Sequence, residues 1–178
     1  MAYGNKVSFF FLVILLSVVN ECRCFQRNHS GANKKFTAAV YEHKPIKAHP
    51  SCYERVCERD VALSSVMDNL KIYSLQTKKA KEADAKIIVF PEFGLTPWVH
   101  RNQLIPFSEH IPMVSAPGQE WIPCNDHIEE GQNTIQEQLS CMAKENEIYV
   151  VANLIDFQEC DECGQDFCLY NTNVMYDR

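Results

Sequence analysis

A chain of 178 residues with a formal net charge of −6, its lysines and arginines scattered, lacks the basic surface that nucleic acid requires. Its one long apolar run, Val7 to Val19, is too short to cross a bilayer comfortably, which takes about 20 apolar residues, and no second such run follows. Nine cysteines argue against a reducing compartment and point to disulfides before metal.

The Val7 to Val19 run follows Lys6 and turns polar at Asn20 and Glu21, the order of a secretory signal peptide. We take residues 1–24 as that signal and residues 25–178 as the mature part. On the order of 150 residues remain, enough for one domain with a sizeable core. Cys22 and Cys24 fall in the signal. The other seven cysteines are Cys52, Cys57, Cys124, Cys141, Cys160, Cys163 and Cys168. Their pairing cannot be read from spacing. Asn28-His29-Ser30 is a glycosylation sequon placed where a chain end is exposed.

After a polar lead-in, Phe36 to Tyr41 is apolar with β-branched and aromatic residues and stops before Pro45, so it reads as a strand. A loop with Pro45 and Pro50 leads to a long helical pattern from about Glu58 to Ala83. There Leu63, Val66, Met67, Leu70 and Tyr73 recur at spacings of three and four and line one face. Asp60 near its start and Lys78, Lys79 and Lys81 near its end carry the signs that complement a helix dipole.

The next run, Lys86-Ile-Ile-Val-Phe-Pro-Glu92, is the most informative in the chain. Four apolar residues with β-branched and aromatic character predict a strand covered on both faces, and Pro91 ends its ladder. Glu92 is thereby aimed at the carboxyl end of the strand, where open α/β sheets build their ligand crevices. Position alone does not make it functional, because most such glutamates are solvated or cap a turn. Strand, helix, strand predicts a parallel pair joined by a right-handed crossover.

From Gly94 to Gly131 the chain is proline-rich and irregular, as in a lid or pocket wall. A second helix is predicted from Thr134 to Glu145, a buried strand from Ile148 to Ile155, and a strand with one wetter face from Leu169 to Tyr176. That last strand is followed by neither a turn nor a partner. Cys160-Asp-Glu-Cys163 with Cys168 resembles part of a zinc site but lacks a usual fourth ligand, and its polar loop does not suit a redox motif. The six histidines sit in polar loops, at a strand end or in the proline-rich stretch, and read as structural or solvated. Trp98 and Trp121 could wall a pocket, although large rings more often pack against a core.

Taken together, several segments resemble one branch of the nitrilase superfamily, the biotinidase and vanin (pantetheinase) carbon-nitrogen hydrolases. They are Ala38 to His43, Asn69-Leu70, Ile87 to Glu92, Trp121 to Asn125, Gln138 to Ala143, Ile148 to Asn153 and Tyr170 to Val174. They stand in the family's order and cover most of the mature part. The Pro-Glu strand is shared across the superfamily, while the Tyr41-Glu42-His43 strand end and Trp121-Ile-Pro-Cys124 narrow the match.

The resemblance implies an α/β fold, part of an α-β-β-α sandwich, and a small-molecule linear amide as substrate, a biotinyl amide or pantetheine. It implies no cofactor and no metal. It further implies a Glu-Lys-Cys set, in which a glutamate takes the thiol proton, a cysteine attacks the carbonyl and a lysine holds the developing charge. Glu92 matches the glutamate, the general base. The lysine and the nucleophile have no counterpart here, so the chain corresponds to the amino-terminal part of the domain and is expected to be inactive alone. The other reading is a non-catalytic secreted binding module or decoy built from a truncated hydrolase. Phe93 stands where the branch often has an acid, and Gly94 to Trp98 departs from the usual loop, which leaves substrate choice open.

Overall fold

A computed structural model describes residues 35–112, 121–125, 134–160 and 166–178. The expected signal and the Asn28 sequon lie outside these residues. Four strands form one sheet in the order β1-β2-β3-β4: β1 (Thr37–Val40), β2 (Ala85–Val89), β3 (Tyr149–Glu159) and β4 (Phe167–Tyr176). The first three are parallel neighbours, and β4 returns antiparallel along β3. α1 (Ser51–Glu54) is a single turn, α2 (Arg59–Glu82) joins β1 to β2, and α3 (Thr134–Asn146) precedes β3. The fold is mixed α/β, with one sheet and one helix layer, consistent with part of a nitrilase-type sandwich.

The helices end where the chain turns left-handed. Asp84 (φ 58°) follows α2 and Glu147 (φ 49°) follows α3. At α3 the Glu147 and Ile148 N–H groups donate back to the Lys144 and Ala143 carbonyls, closing a Schellman motif. Lys81 in the last turn of α2 reaches the carbonyl and carboxylate of Glu147, tying the two helix ends together.

The core lies between the helices and one face of the sheet. Ile88, Val150, Ala152, Leu154 and Tyr176 meet Val66, Leu70, Tyr73, Ile135 and Leu139 there. Each fully buried aliphatic side chain stabilises this layer by about 1.5–3 kcal/mol. The α2 stripe differs from the expected one. Val66, Leu70 and Tyr73 are buried, but Leu63 and Met67 flank the contact, and Ser65, Asn69 and Thr77 take its centre. Those polar groups are used: the Thr77 hydroxyl meets Met142 Sδ at 3.1 Å, and Asn69 clamps a loop.

Among the described residues the opposite face is less well covered, most of all at its two edge strands. The register places Val40, Val89, Val151 and Met175 in one row across the sheet, with Ala38 and Ile87 beside them. Val40 is 72% exposed and Met175 61%. An apolar run marks both faces of β2 as apolar, but only packing decides which face is covered.

β4 pairs back along the preceding strand β3 over ten residues, with the Cys160–Cys168 disulfide near the connection. One expectation changes: the proline-rich stretch is not structureless, since Arg101–Phe107 forms a 3-10 helix and Glu109 bridges to Asp156. That helix closes on itself through a capping box between His100 and Gln103.

Candidate active site

β2 runs out at Pro91, and Glu92 stands exposed at the carboxyl end of the parallel strands, as the sequence predicts. The turn after it is tight. Phe93 adopts a left-handed conformation (φ 54°), which costs a bulky residue about 1–3 kcal/mol and persists only when its surroundings hold it. What holds it is Asn153 of β3, whose Oδ1 accepts the Phe93 N–H at 3.0 Å. Gly94 comes next because Tyr73 leaves no room. A Cβ there would lie 2.0 Å from the Tyr73 hydroxyl oxygen.

Asn153 is 3% exposed and points to the open side of the sheet, sharing its register with Asn173, while Asn171 lies opposite Ile155 on the same face. Its Nδ2 donates to Asn171 Oδ1 at 2.5 Å and to Asn173 Oδ1 at 3.2 Å. Asn171 Nδ2 in turn donates to Glu92 Oε1 at 2.5 Å. A line of amides thus runs from the backbone behind Glu92, through β3 and β4, and back to its carboxylate.

Beneath this turn lies an aromatic layer. Tyr73 stacks on Phe90 at 3.7 Å, Tyr41 meets Phe90 edge-on, and the His43 ring stands edge-on to Tyr73 at 5.1 Å. His43 Nε2 lies 2.7 Å from Asn69 Oδ1, and Asn69 also brackets the Ile46 backbone through both amide atoms. Burial holds the His43 pKa below its ordinary value, with the Asn69 hydrogen bond pulling the other way. Burial likewise pushes the Tyr73 hydroxyl well above the usual tyrosine range. His43 is therefore a structural histidine, as expected.

The loops after β1 and β2 line a partly open pocket of about 190 Å³, with Pro45, Ile46, Ala48, Phe93, Leu95 and Trp98 among its walls. Trp98 is 81% exposed and lies against the Phe93 ring at 4.6 Å. This corrects the expectation that its ring packs in the core: the short turn from Phe93 to Pro97 lifts it to the rim.

A second carboxylate escaped the sequence reading. Glu109 is 4% exposed on the helix side, where Oε1 accepts the Ile135 N–H at 2.7 Å and Oε2 the Gln136 N–H at 2.9 Å, capping α3 from outside. Arg59 reaches Oε1 at 3.2 Å and binds the Pro106 and Ser108 carbonyls. Burial pushes the Glu109 carboxyl up, against these hydrogen bonds and the Arg59 charge. Its oxygens are engaged in holding the 3-10 segment to both helices, so it acts as a structural tie.

Six cysteines pair as Cys52–Cys57, Cys124–Cys141 and Cys160–Cys168. Cys124 and Cys141 thus occupy a disulfide, as expected. The third pair consumes two of the three thiolates a zinc site would need and leaves no Cys160–Cys163 redox pair. Cys163 lies outside the described residues. Among the described residues no group of three or more His, Cys, Asp or Glu side chains could hold a metal ion. Three disulfides are consistent with an extracellular protein.

Residues 38–178 match the carbon-nitrogen hydrolase family. The chain belongs to that family. It is 39% identical to human pantetheinase over 173 residues, which cover 94% of this chain and 31% of that protein. It is 39% identical to human pantetheine hydrolase VNN2 over 83% of this chain and 28% of the relative. Biotinidase of Takifugu rubripes is 37% identical over 81% of this chain and 29% of its own length. The chain therefore spans about three tenths of the curated relatives it matches. No helix among the described residues is long and apolar enough to cross a membrane.

Glu92 and the Pro91 break were legible in the sequence. Asn153 and Asn171 were not singled out, although asparagines at 171 and 173, two apart in a strand, already signalled a polar patch on one face.

Proposed function

We propose that this chain supplies the general base of a secreted amidase that hydrolyses a linear amide, with a biotinyl amide or pantetheine as the substrate. The observation that carries the reading is Glu92, exposed at the carboxyl rim of a parallel sheet in a family of carbon-nitrogen hydrolases, its carboxylate held by Asn171. A thiol is mostly protonated near neutral pH and an amide is a poor electrophile, so a positioned carboxylate that takes the thiol proton answers the first difficulty. The nucleophile and the charge-stabilising lysine come from outside residues 25–178. Six of the seven cysteines in that span are tied in disulfides, and the seventh, Cys163, stands in a sequence context unlike that of the family's nucleophile. The chain alone accordingly turns over no amide. Residues 1–24 act as the secretion signal, which fits a protein with three disulfides.

The test is hydrolysis of pantetheine and of a biotinyl amide by the native secreted protein that contains this chain. Glu92→Gln lowers turnover by about 10²–10⁴-fold, the range typical for a lost general base. Unchanged turnover in that variant would remove Glu92 from the chemistry. Hydrolysis by the isolated 178-residue chain would overturn the claim of inactivity.

A second reading, a non-catalytic binding module, draws on the same paired cysteines. It requires the open sheet face to stay monomeric in water, so a cooperative melt of a monomeric preparation supports it and aggregation counts against it.

A further inference from the structure

We infer that Asn153 and Asn171 are positioning residues that select Oε2 of Glu92 as the oxygen that takes the proton. The inference rests on the reading of Glu92 as the base. Its physical content is the polarity of the amide line, which is set at an end that cannot be reversed. The Phe93 N–H can only donate, so the atom of Asn153 facing it at 3.0 Å is the oxygen. The NH2 of Asn153 is thereby turned toward β4, and Asn171 must present its own oxygen to it. The NH2 of Asn171 is then left to face Glu92, and it donates to Oε1.

One backbone N–H, itself placed by the left-handed turn at Phe93, thus dictates the sense of two side-chain amides across three strands. Oε1 is occupied by a donor. Oε2 has no partner among the described residues and lies on the exposed side chain, which makes it the oxygen open to a proton donor. Asn173 accepts from Asn153 at the longer distance of 3.2 Å and forms a side branch that the line does not need.

Side-chain NH2 resonances of the chain labelled with 15N-asparagine test the line without any activity. Glu92→Ala removes an exposed side chain and leaves the fold in place. It is expected to move the Asn171 NH2 signal most and the Asn153 signal next, while Asn69, bonded on the helix side to Ile46 and Ser65, stays put. Asn153→Asp keeps the acceptor for Phe93 but withdraws the donor, and moves the Asn171 signal. Asn173→Ala leaves it in place. An unmoved Asn171 signal in Glu92→Ala or Asn153→Asp overturns the inference, as does an equal shift of Asn69.

In the native protein, Asn171→Leu is expected to lower kcat about 10-fold, the worth of one hydrogen bond to a charged group, with KM nearly unchanged. A pure KM effect would mark Asn171 as a binding residue and overturn the positioning role. If the unaltered protein hydrolyses no amide, the amidase reading fails while the resonance shifts still decide the line.

Discussion

The two faces of the sheet are built from the same alternating strands and end up under opposite rules. On the helix side, the buried carboxylate and amide are held on several sides: Glu109 is wrapped by Arg59 and two backbone N–H groups, and Asn69 by the Ile46 loop. On the other side, an apolar row with exposed ends at Val40 and Met175 runs beside the line that ends at Glu92. The covered face holds the fold together, and the other face carries the asparagine line to Glu92, the base in the reading proposed above. On that reading, stability and chemistry are separated by the thickness of one sheet.

Paired truncations test that separation most strongly. Leu139→Ala, fully buried on the helix side, is expected to cost about 2–5 kcal/mol in chemical denaturation. Met175→Ala, 61% exposed on the other side, should stay within about 0.5 kcal/mol. Equal losses would mean that the open face is buried in solution, by another copy or by a partner.

Gly94→Ala probes where the two sides touch. The added carbon would meet the Tyr73 hydroxyl of the helix layer, so a loss of about 1–3 kcal/mol is expected, together with displacement of the Phe93 turn. A neutral result would show that Tyr73 yields easily and that the aromatic layer does not set the turn.

The smallest expected effect is a pH slope from His43. Burial lowers its folded-state pKa from 6.5, so as pH falls the unfolded chain takes up the proton first. The stability tied to the neutral ring is fully present above about pH 6.5 and drains away as pH drops through the window below. Urea midpoints measured from about pH 7.5 down to about pH 5.5 should fall less in His43→Gln than in the parent. Identical slopes would place the titrating group elsewhere.

Much of this molecule could be read before its structure. The α2 and α3 boundaries, the parallel β1 and β2 pair and the Pro91 stop all follow from local signals: helical spacing, β-branched runs and a residue that cannot donate. Glu92 was legible for the same reason, because a strand that ends in proline delivers the next side chain to the rim. Trp98 was misplaced because burial of a ring depends on where its loop is lifted, which no local pattern encodes. Disulfide pairing was equally out of reach, since seven thiols admit many connections and only proximity in space selects among them.

The division between the two sources is physical. Sequence by itself determined what depends on neighbours a few residues away: element type, element ends, the sign of charge at helix termini, and the carboxylate at the strand's end. Tertiary structure alone decided what depends on residues far apart in the chain, namely which face of the sheet the helices cover and which carboxylate is a structural tie. It also decided the asparagine line, because the order Phe93, Asn153, Asn171, Glu92 exists only after β2, β3 and β4 lie side by side, and a hydrogen bond acts over about 3 Å whatever the separation along the chain.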